Sequence, residues 1–177
     1  ILLTRFPSLE HSRLGGHSGG TLLLSMMEQC STDFLAAIDG LRTMLGCDGR
    51  VWPVSTESAS LCAEYADGST TRGEVEVDAG QAQGQWIEHL WLDPPATIHP
   101  RVAEAIRGFD AVVIGPGSFY TSLVPIFLAR GIQDALSEVD GPVILVANLL
   151  TEGRGMRGFT AGEAARRMAD VIGRDVD

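Results

Sequence analysis

The chain has 177 residues, 45% of them hydrophobic, which is enough for the core of one domain but short for two. Its 13 basic and 23 acidic residues give a formal charge of −10, without any basic stretch longer than a pair, so we expect no nucleic-acid partner. Neither a membrane-spanning apolar run nor a signal-peptide pattern occurs, so we expect no membrane partner. The widely spaced Cys30, Cys47 and Cys62 form no CxxC motif and are interpreted as reduced, mostly buried thiols of a cytoplasmic protein.

A glycine-rich turn, LGGHSGG at 14–20, precedes a helix predicted over 21–29. His17 and Ser18 lie where side chains at a helix start would face a ligand. An imidazole there could donate to a phosphate or act as a general acid or base. The alternative is that His17 hydrogen-bonds the backbone of its own turn. A second helix is expected to follow, capped by Ser31 or Thr32.

Short strand-like runs fill residues 50–93 and predict an antiparallel β insertion. They read VWPV, SLCAEYA, STTRGEVEV and WIEHLWLD, and Asp67-Gly68 is a strong hairpin signal. Val75 and Val77 alternate with glutamates, which predicts a strand with one solvated face. The stretch DAGQAQGQ at 78–85 is expected to be a flexible polar loop.

The central stretch, FDAVVIGPGSFYTSLVPIFLARG at 109–131, predicts a strand, a glycine turn and a helix. A helix N-terminus presents backbone N–H groups and the positive end of its dipole, so such a turn can bind an anion. Ser118, Thr121 and Ser122 add hydroxyl donors for a phosphate or a hydrated metal. The alternative is a tight turn whose hydroxyls only cap the helix.

A second buried strand, PVILVAN at 142–148, follows that helix. Strand, helix and strand in this order predict a right-handed parallel crossover, so both strands should end at one sheet edge, where ligands bind in open α/β sheets. The segment after the strand offers Asn148 for a base or ribose, Thr151 and Glu152 for a metal-bound water, and Arg154 or Arg157 for a phosphate. It could equally be a mobile loop with solvated arginines. A last helix over 160–172 begins with a capping box of Thr160 and Glu163.

These motifs resemble those of the superfamily that joins the 2-phospho-L-lactate transferase CofD to the bacterial gluconeogenesis factor YvcK. The resemblance spans almost the whole chain, through LGGHSGGTLLLS, DFLAAI, VWPVS, LCAEYADG, IGPGSFYTSLVPIFLARGI, VANLLT and GFTA. GPGSFYTS and the DG hairpin favour the YvcK branch. The family also carries an N-terminal strand and a GGGTG-type loop that this sequence lacks, so we expect one domain over 1–177 without them, with the β insertion at 50–93.

The resemblance implies an α/β fold, a Rossmann-like parallel sheet with flanking helices, together with nucleotide or nucleotide-sugar binding and a homodimer. It implies that two glycine turns and the segment after the last strand line one ligand cleft. The implied ligand-binding residues are Gly16, His17, Ser18, Gly115, Pro116, Gly117, Ser118, Tyr120, Thr121, Ser122, Asn148 and Thr151. Two departures bear on the ligand: Thr21 replaces an asparagine, and residues 152–158 lose acidic character and gain arginines.

Our leading hypothesis is a cytoplasmic regulatory protein that binds a nucleotide or a nucleotide sugar, with a UDP-sugar as the ligand to test. The alternative is a metal-dependent transferase of the CofD type, moving a phospholactyl-type group from a nucleotide carrier to an acceptor hydroxyl. A third interpretation is an α/β domain that retains no activity. The sequence identifies no catalytic residue and no metal ligand, and it suggests Mg²⁺ only as the metal of a nucleotide complex.

Overall fold

A computed structural model describes residues 2–7, 14–150 and 156–177. They belong to two compact units, Ile1–Pro53 and Val54–Asp177, each of which is described by itself. Nothing in the described residues tests the expected domain boundaries, which stay a prediction. Within these residues, every helix is too short or too polar to cross a lipid bilayer.

The first unit contains two helices that pack on each other, α1 (Gly19–Cys30) and α2 (Phe34–Met44). Ser18 caps α1, because its side chain accepts a hydrogen bond from the Thr21 amide. The cap of α2 is Asp33, whose Oδ1 accepts from the Ala36 amide at 2.8 Å, so the expected caps Ser31 and Thr32 were wrong. Asp33 lies three positions before Ala36, which is the spacing at which a cap side chain accepts from a backbone amide of the first turn.

The second unit begins with an antiparallel sheet of three strands, β1 (Ser60–Tyr65), β2 (Thr70–Arg72) and β3 (Ile87–Asp93). The central strand is β1, and the order across the sheet is β2-β1-β3. Ser69 donates two hydrogen bonds to Asp67 Oδ1, one from its amide at 2.9 Å and one from its hydroxyl at 2.6 Å. The hairpin predicted at Asp67-Gly68 is therefore confirmed, with Gly68 at φ +79°.

The segment after β2 is a helix, α3 (Glu74–Gln83), where a strand and a flexible loop were predicted. Gly73, at φ +112°, ends the extended chain, and acidic residues in the first turn suit the helix dipole. Val77, Gly80 and Gln81 form a buried face with helical spacing. A Cβ at position 80 would clash with the Tyr65 hydroxyl, so glycine permits the close approach to β1.

Two other predictions also fail. VWPV at 51–54 lies in no strand; Pro53 cannot donate to a ladder, and Val51 is 71% exposed. The cysteines are all free thiols, but only Cys62 is buried, while Cys30 and Cys47 are exposed. Cys62 lies on a central strand that both neighbours cover, whereas Cys30 ends α1 and Cys47 lies beyond the end of α2.

The rest of the second unit contains the predicted pair of parallel strands and the helices that connect them. After α4 (Pro100–Arg107), β4 (Val112–Ile114) pairs in parallel with β5 (Val143–Leu145), which confirms the parallel pair and the α/β fold class. The connection contains one π-helical turn (Phe119–Leu123) that continues into α5 (Val124–Phe127), followed by α6 (Ile132–Ser137). The last helix is α7 (Ala161–Ile172), and its predicted capping box is present.

Candidate functional site

The two parallel strands end side by side, and their following segments approach closely. Gly115 leaves β4 at φ +87°, and a Cβ there would lie 3.0 Å from the carbonyl oxygen of Val146. A side chain at this position would therefore be strained by the backbone conformation and crowded by the end of the neighbouring strand. Pro116 follows through a cis peptide bond and is exposed.

One side chain bridges the two segments. Asn148 Nδ2 donates to the carbonyl oxygen of Gly117 at 2.8 Å. The parallel register of β4 and β5 places both exits at the same sheet edge, as predicted. The structure thus brings together Gly115, Gly117 and Asn148 of the predicted site.

The helix after the turn begins with a π-helical turn at Ser118. The Ser118 carbonyl accepts from Ser122 N at 2.8 Å and from Leu123 N at 3.0 Å, and the Ser118 side chain makes no capping hydrogen bond. Thr121 is only 8% exposed, and its hydroxyl donates to Asp78 Oδ1 of α3 at 3.0 Å. That hydroxyl anchors the turn to α3, while Ser122 is exposed.

A cavity of about 230 Å³, hereafter the edge cavity, opens at the carboxyl end of β4 and β5. Its walls come from the two post-strand segments and from the start of α7. The described residues that line it are Gly117, Phe119, Leu123, Leu145, Val146, Ala147, Asn148, Leu149, Leu150, Met156, Phe159, Thr160, Ala161 and Ala164. None of these has an ionisable side chain, and its polar side chains are Asn148 and Thr160.

The start of α7 is capped by the side chains of Thr160 and Glu163. Glu163 Oε2 accepts from Thr160 N at 2.8 Å and from Thr160 Oγ1 at 3.0 Å, and Glu163 N donates to that hydroxyl at 3.2 Å. The hydrogen bonds from the Thr160 amide and hydroxyl lower the pKa of the Glu163 carboxyl. A carboxylate already occupies this helix start, so it is a poor place for a second anion.

Tyr120 lies apart from the edge cavity, although the resemblance includes it in the ligand site. It is 4% exposed and packs at 5.0 Å, edge to face, on Phe119. Its hydroxyl has no hydrogen-bond partner among the described residues, and burial raises the pKa of the phenol. Together with Arg167 it lines a separate cavity of about 450 Å³ between β3 and α7.

The predicted residues of the first unit form a helix start of their own. Gly16 has φ +80° and its carbonyl accepts from Arg5 Nη1 at 2.7 Å, while His17 is exposed. The Ser18 hydroxyl, which caps α1, also lies 2.9 Å from the Thr21 hydroxyl. That this turn shares a cleft with Gly115 stays a prediction. Thr151 lies outside the described residues.

Sequence reasoning missed the aromatic wall of the edge cavity, Phe119 and Phe159. Each phenylalanine lies within two residues of a predicted turn or cap, but apolar residues in such places usually belong to the core, so no pattern marked them. The list of predicted ligand-binding residues also includes none from the last helix or its cap, yet Thr160, Ala161 and Ala164 line the cavity. Within residues 2–7, 14–150 and 156–177, no group of three or more His, Cys, Asp or Glu side chains could hold a metal ion.

The sequence model described as 2-phospho-L-lactate transferase CofD matches residues 2–177. The chain is also similar to a putative gluconeogenesis factor of Deinococcus radiodurans, 35% identical over 100% of this chain and 38% of that protein. A putative gluconeogenesis factor of Thermotoga maritima is 33% identical over 92% of this chain and 51% of its own length. The chain thus spans about half the length, or less, of these curated relatives.

A solved structure gives the same picture. The crystal structure of a UPF0052 family member from Bacillus halodurans matches with a TM-score of 0.88 and 33% identity, over 99% of this chain and 56% of that one. The family match extends across nearly the entire sequence and includes both glycine turns and the Asn148 segment. The chain therefore belongs to the CofD family.

Proposed function

We propose that the protein binds a nucleotide or nucleotide sugar, with a UDP-sugar as the first candidate, and acts as a cytoplasmic regulatory protein like the gluconeogenesis factors it resembles. The observation that carries the proposal is the hydrogen bond from Asn148 to Gly117, 2.8 Å long, which ties together the two post-strand segments around the edge cavity. Ligands of open α/β sheets bind at this edge.

The uncharged lining suits the neutral part of such a ligand. At about 230 Å³ the edge cavity is smaller than the roughly 300–1,000 Å³ of typical small-molecule sites, so it would hold one ring of the ligand. The phosphates would then lie outside it, at the helix start after Gly117. Ser118 provides no side-chain cap there, in contrast to the capped start of α7.

The alternative function is a transferase that moves a group from a nucleotide carrier. It would also bind a nucleotide, but unlike the regulatory protein it would need a metal. The described residues that line the edge cavity include no carboxylate or imidazole. They do not fit a protein-held Mg²⁺, so a metal would enter as part of the nucleotide complex. We therefore keep the transferase as an outcome of the binding experiment.

The experiment is titration calorimetry of the natural full-length protein with a UDP-sugar and with a guanine nucleotide, each with and without Mg²⁺. We expect the UDP-sugar to bind, and Asn148→Ala to weaken its binding about tenfold, because the turn loses its tie to the second segment. Gln133→Ala is the matched control, since Gln133 Nε2 also donates to a backbone carbonyl, that of Val171 at 2.6 Å, away from this cavity.

Asn148→Ala and Gln133→Ala each lose a hydrogen bond from a side-chain amide to a backbone carbonyl. A lower affinity in Asn148→Ala alone would therefore show that the loss of binding depends on the position of Asn148 beside the edge cavity. Equal affinities of the two variants for the UDP-sugar, or no binding to the unmodified protein, would refute the proposal. A magnesium-dependent preference for the guanine nucleotide would favour the transferase, and acceptor hydroxyls would then be screened.

A further inference from the structure

Four aromatic rings form a cluster directly behind the edge cavity. Phe159 is at its centre, with its ring centroid 5.2 Å from Phe119, 6.1 Å from Tyr120 and 6.1 Å from Trp86. Phe119 and Phe159 line the edge cavity, whereas Tyr120 and Trp86 do not. The wall that a ligand would contact is therefore supported by a second layer of rings.

The guanidinium of Arg167, on α7, is enclosed by three of these rings. Its Cζ lies 4.9 Å from the Trp86 centroid, 5.9 Å from Tyr120 and 6.0 Å from Phe159. Nη1 also donates to the carbonyl oxygen of Ile87 at 3.3 Å. Throughout the part of the chain that the structure describes, Arg167 forms no ion pair with a carboxylate.

This setting is unusual for a half-buried arginine, because the charge is partly removed from water without a direct ion pair. Its compensation comes from the ring faces, from one backbone carbonyl and from the electrostatic interaction with Glu163, one turn earlier on α7. A planar guanidinium stacks on aromatic ring faces, which an aliphatic side chain of the same length cannot do. Of the three rings, Phe159 is the one that also lines the edge cavity.

We propose that Arg167 is a positioning residue, which holds the Phe159 ring in place so that the aromatic wall of the edge cavity fits the ring of a bound ligand. The inference rests on the proposed function, in which the cavity takes the neutral ring and the Gly115–Ser118 turn takes the phosphates. Arg167 itself does not line the edge cavity. Replacing Arg167 should therefore weaken the binding of the ring of the ligand and leave the binding of its phosphates unchanged.

The test compares two probes on the full-length protein, a UDP-sugar and inorganic pyrophosphate, by calorimetry. We expect Arg167→Met to weaken UDP-sugar binding about tenfold and to change pyrophosphate binding by less than about twofold. Arg167→Lys should recover part of the loss, because an ammonium group can also sit on ring faces. Arg166→Met, at the exposed neighbouring position of α7, is the control and should bind both probes normally.

Each outcome decides a separate point. Equal losses for both probes would mean a general structural role and would overturn the inference, as would an unchanged UDP-sugar affinity in Arg167→Met. If the unmodified protein bound neither probe, the proposed function would fail and the inference with it. If Arg167→Met does not fold, Phe159→Leu must weaken UDP-sugar binding while leaving pyrophosphate binding nearly unchanged. A Phe159→Leu variant that weakened both, or neither, would contradict the inference.

Discussion

Two helix starts face the same edge cavity, and they are built differently. At Thr160 the amide and the hydroxyl both donate to the Glu163 carboxylate, so the start of α7 is satisfied by its own residues. At the other start, the Ser118 side chain makes no capping hydrogen bond, and the Ser118 carbonyl accepts from two amides of a π-helical turn. Both starts follow a glycine with positive φ, Gly158 at +84° and Gly115 at +87°.

This difference shows why a glycine-rich turn before a helix is a weak indication of an anion site. The backbone N–H groups at a helix start attract an anion only where the protein has not already supplied one. Glu163 fills that role at α7. Among the residues that the structure describes, no carboxylate caps the turn at Gly115, so the comparison favours this turn as the proposed phosphate site.

The largest expected effect separates the two glycines. Gly115→Ala should lower the free energy of unfolding by about 2–4 kcal/mol, because alanine at positive φ costs about 1–2 kcal/mol and its Cβ would also crowd the Val146 carbonyl. Gly158→Ala has the same backbone cost, and no heavy atom of the described residues lies within 4 Å of the added Cβ, so its loss should stay at about 1–2 kcal/mol. Urea denaturation of both variants measures the difference, and equal losses would show that the approach of Gly115 to Val146 is not tight.

The next effect separates the two caps. Thr160→Ala should destabilise the protein by about 1 kcal/mol, because the first turn of α7 loses the hydroxyl that accepts from Glu163 N. Ser118→Ala removes no capping hydrogen bond and should change the free energy of unfolding by less than about 0.5 kcal/mol. Urea denaturation again provides the measurement. A large loss in Ser118→Ala would mean that its hydroxyl supports the turn, and the contrast between the two starts would disappear.

Much of the fold could be read from the sequence because local signals agreed with the tertiary structure. Asp67-Gly68 favours its hairpin through turn chemistry alone, and Thr160 with Glu163 forms the expected box. The parallel pair of β4 and β5 followed from a connection rule that needs only the order of elements. Gly115 and Asn148 were expected at one edge for the same reason.

The failures occurred where a longer-range contact decided the outcome. The alternation of valines and glutamates at 74–77 predicted a strand, but burial of Val77, Gly80 and Gln81 on one face accompanies a helix instead. Thr121 makes another such contact, because its hydroxyl donates to Asp78, a partner 43 residues away on that unpredicted helix. A pairing of this kind cannot be seen before α3 is known, and the role of Thr121 in ligand binding stays a prediction.

The smallest expected effect concerns the charge of the α7 cap and appears in the pH dependence. The hydrogen bonds from Thr160 hold the pKa of Glu163 below its ordinary value of 4.5, so the ionised carboxylate stabilises the folded state above that pH. This contribution should be lost as the pH falls through the lowered pKa of the folded protein. Glu163→Gln lacks the charge, so its free energy of unfolding should lie below that of the unmodified protein at pH 7. The two free energies should converge as the pH falls below about 4.5. Urea titrations between about pH 3 and pH 7 measure both. If the difference in the free energy of unfolding stayed constant over the whole pH range, the shape of the Glu163 side chain, and not its charge, would account for the cap. The start of α7 would then be as open to an anion as the helix start at Ser118.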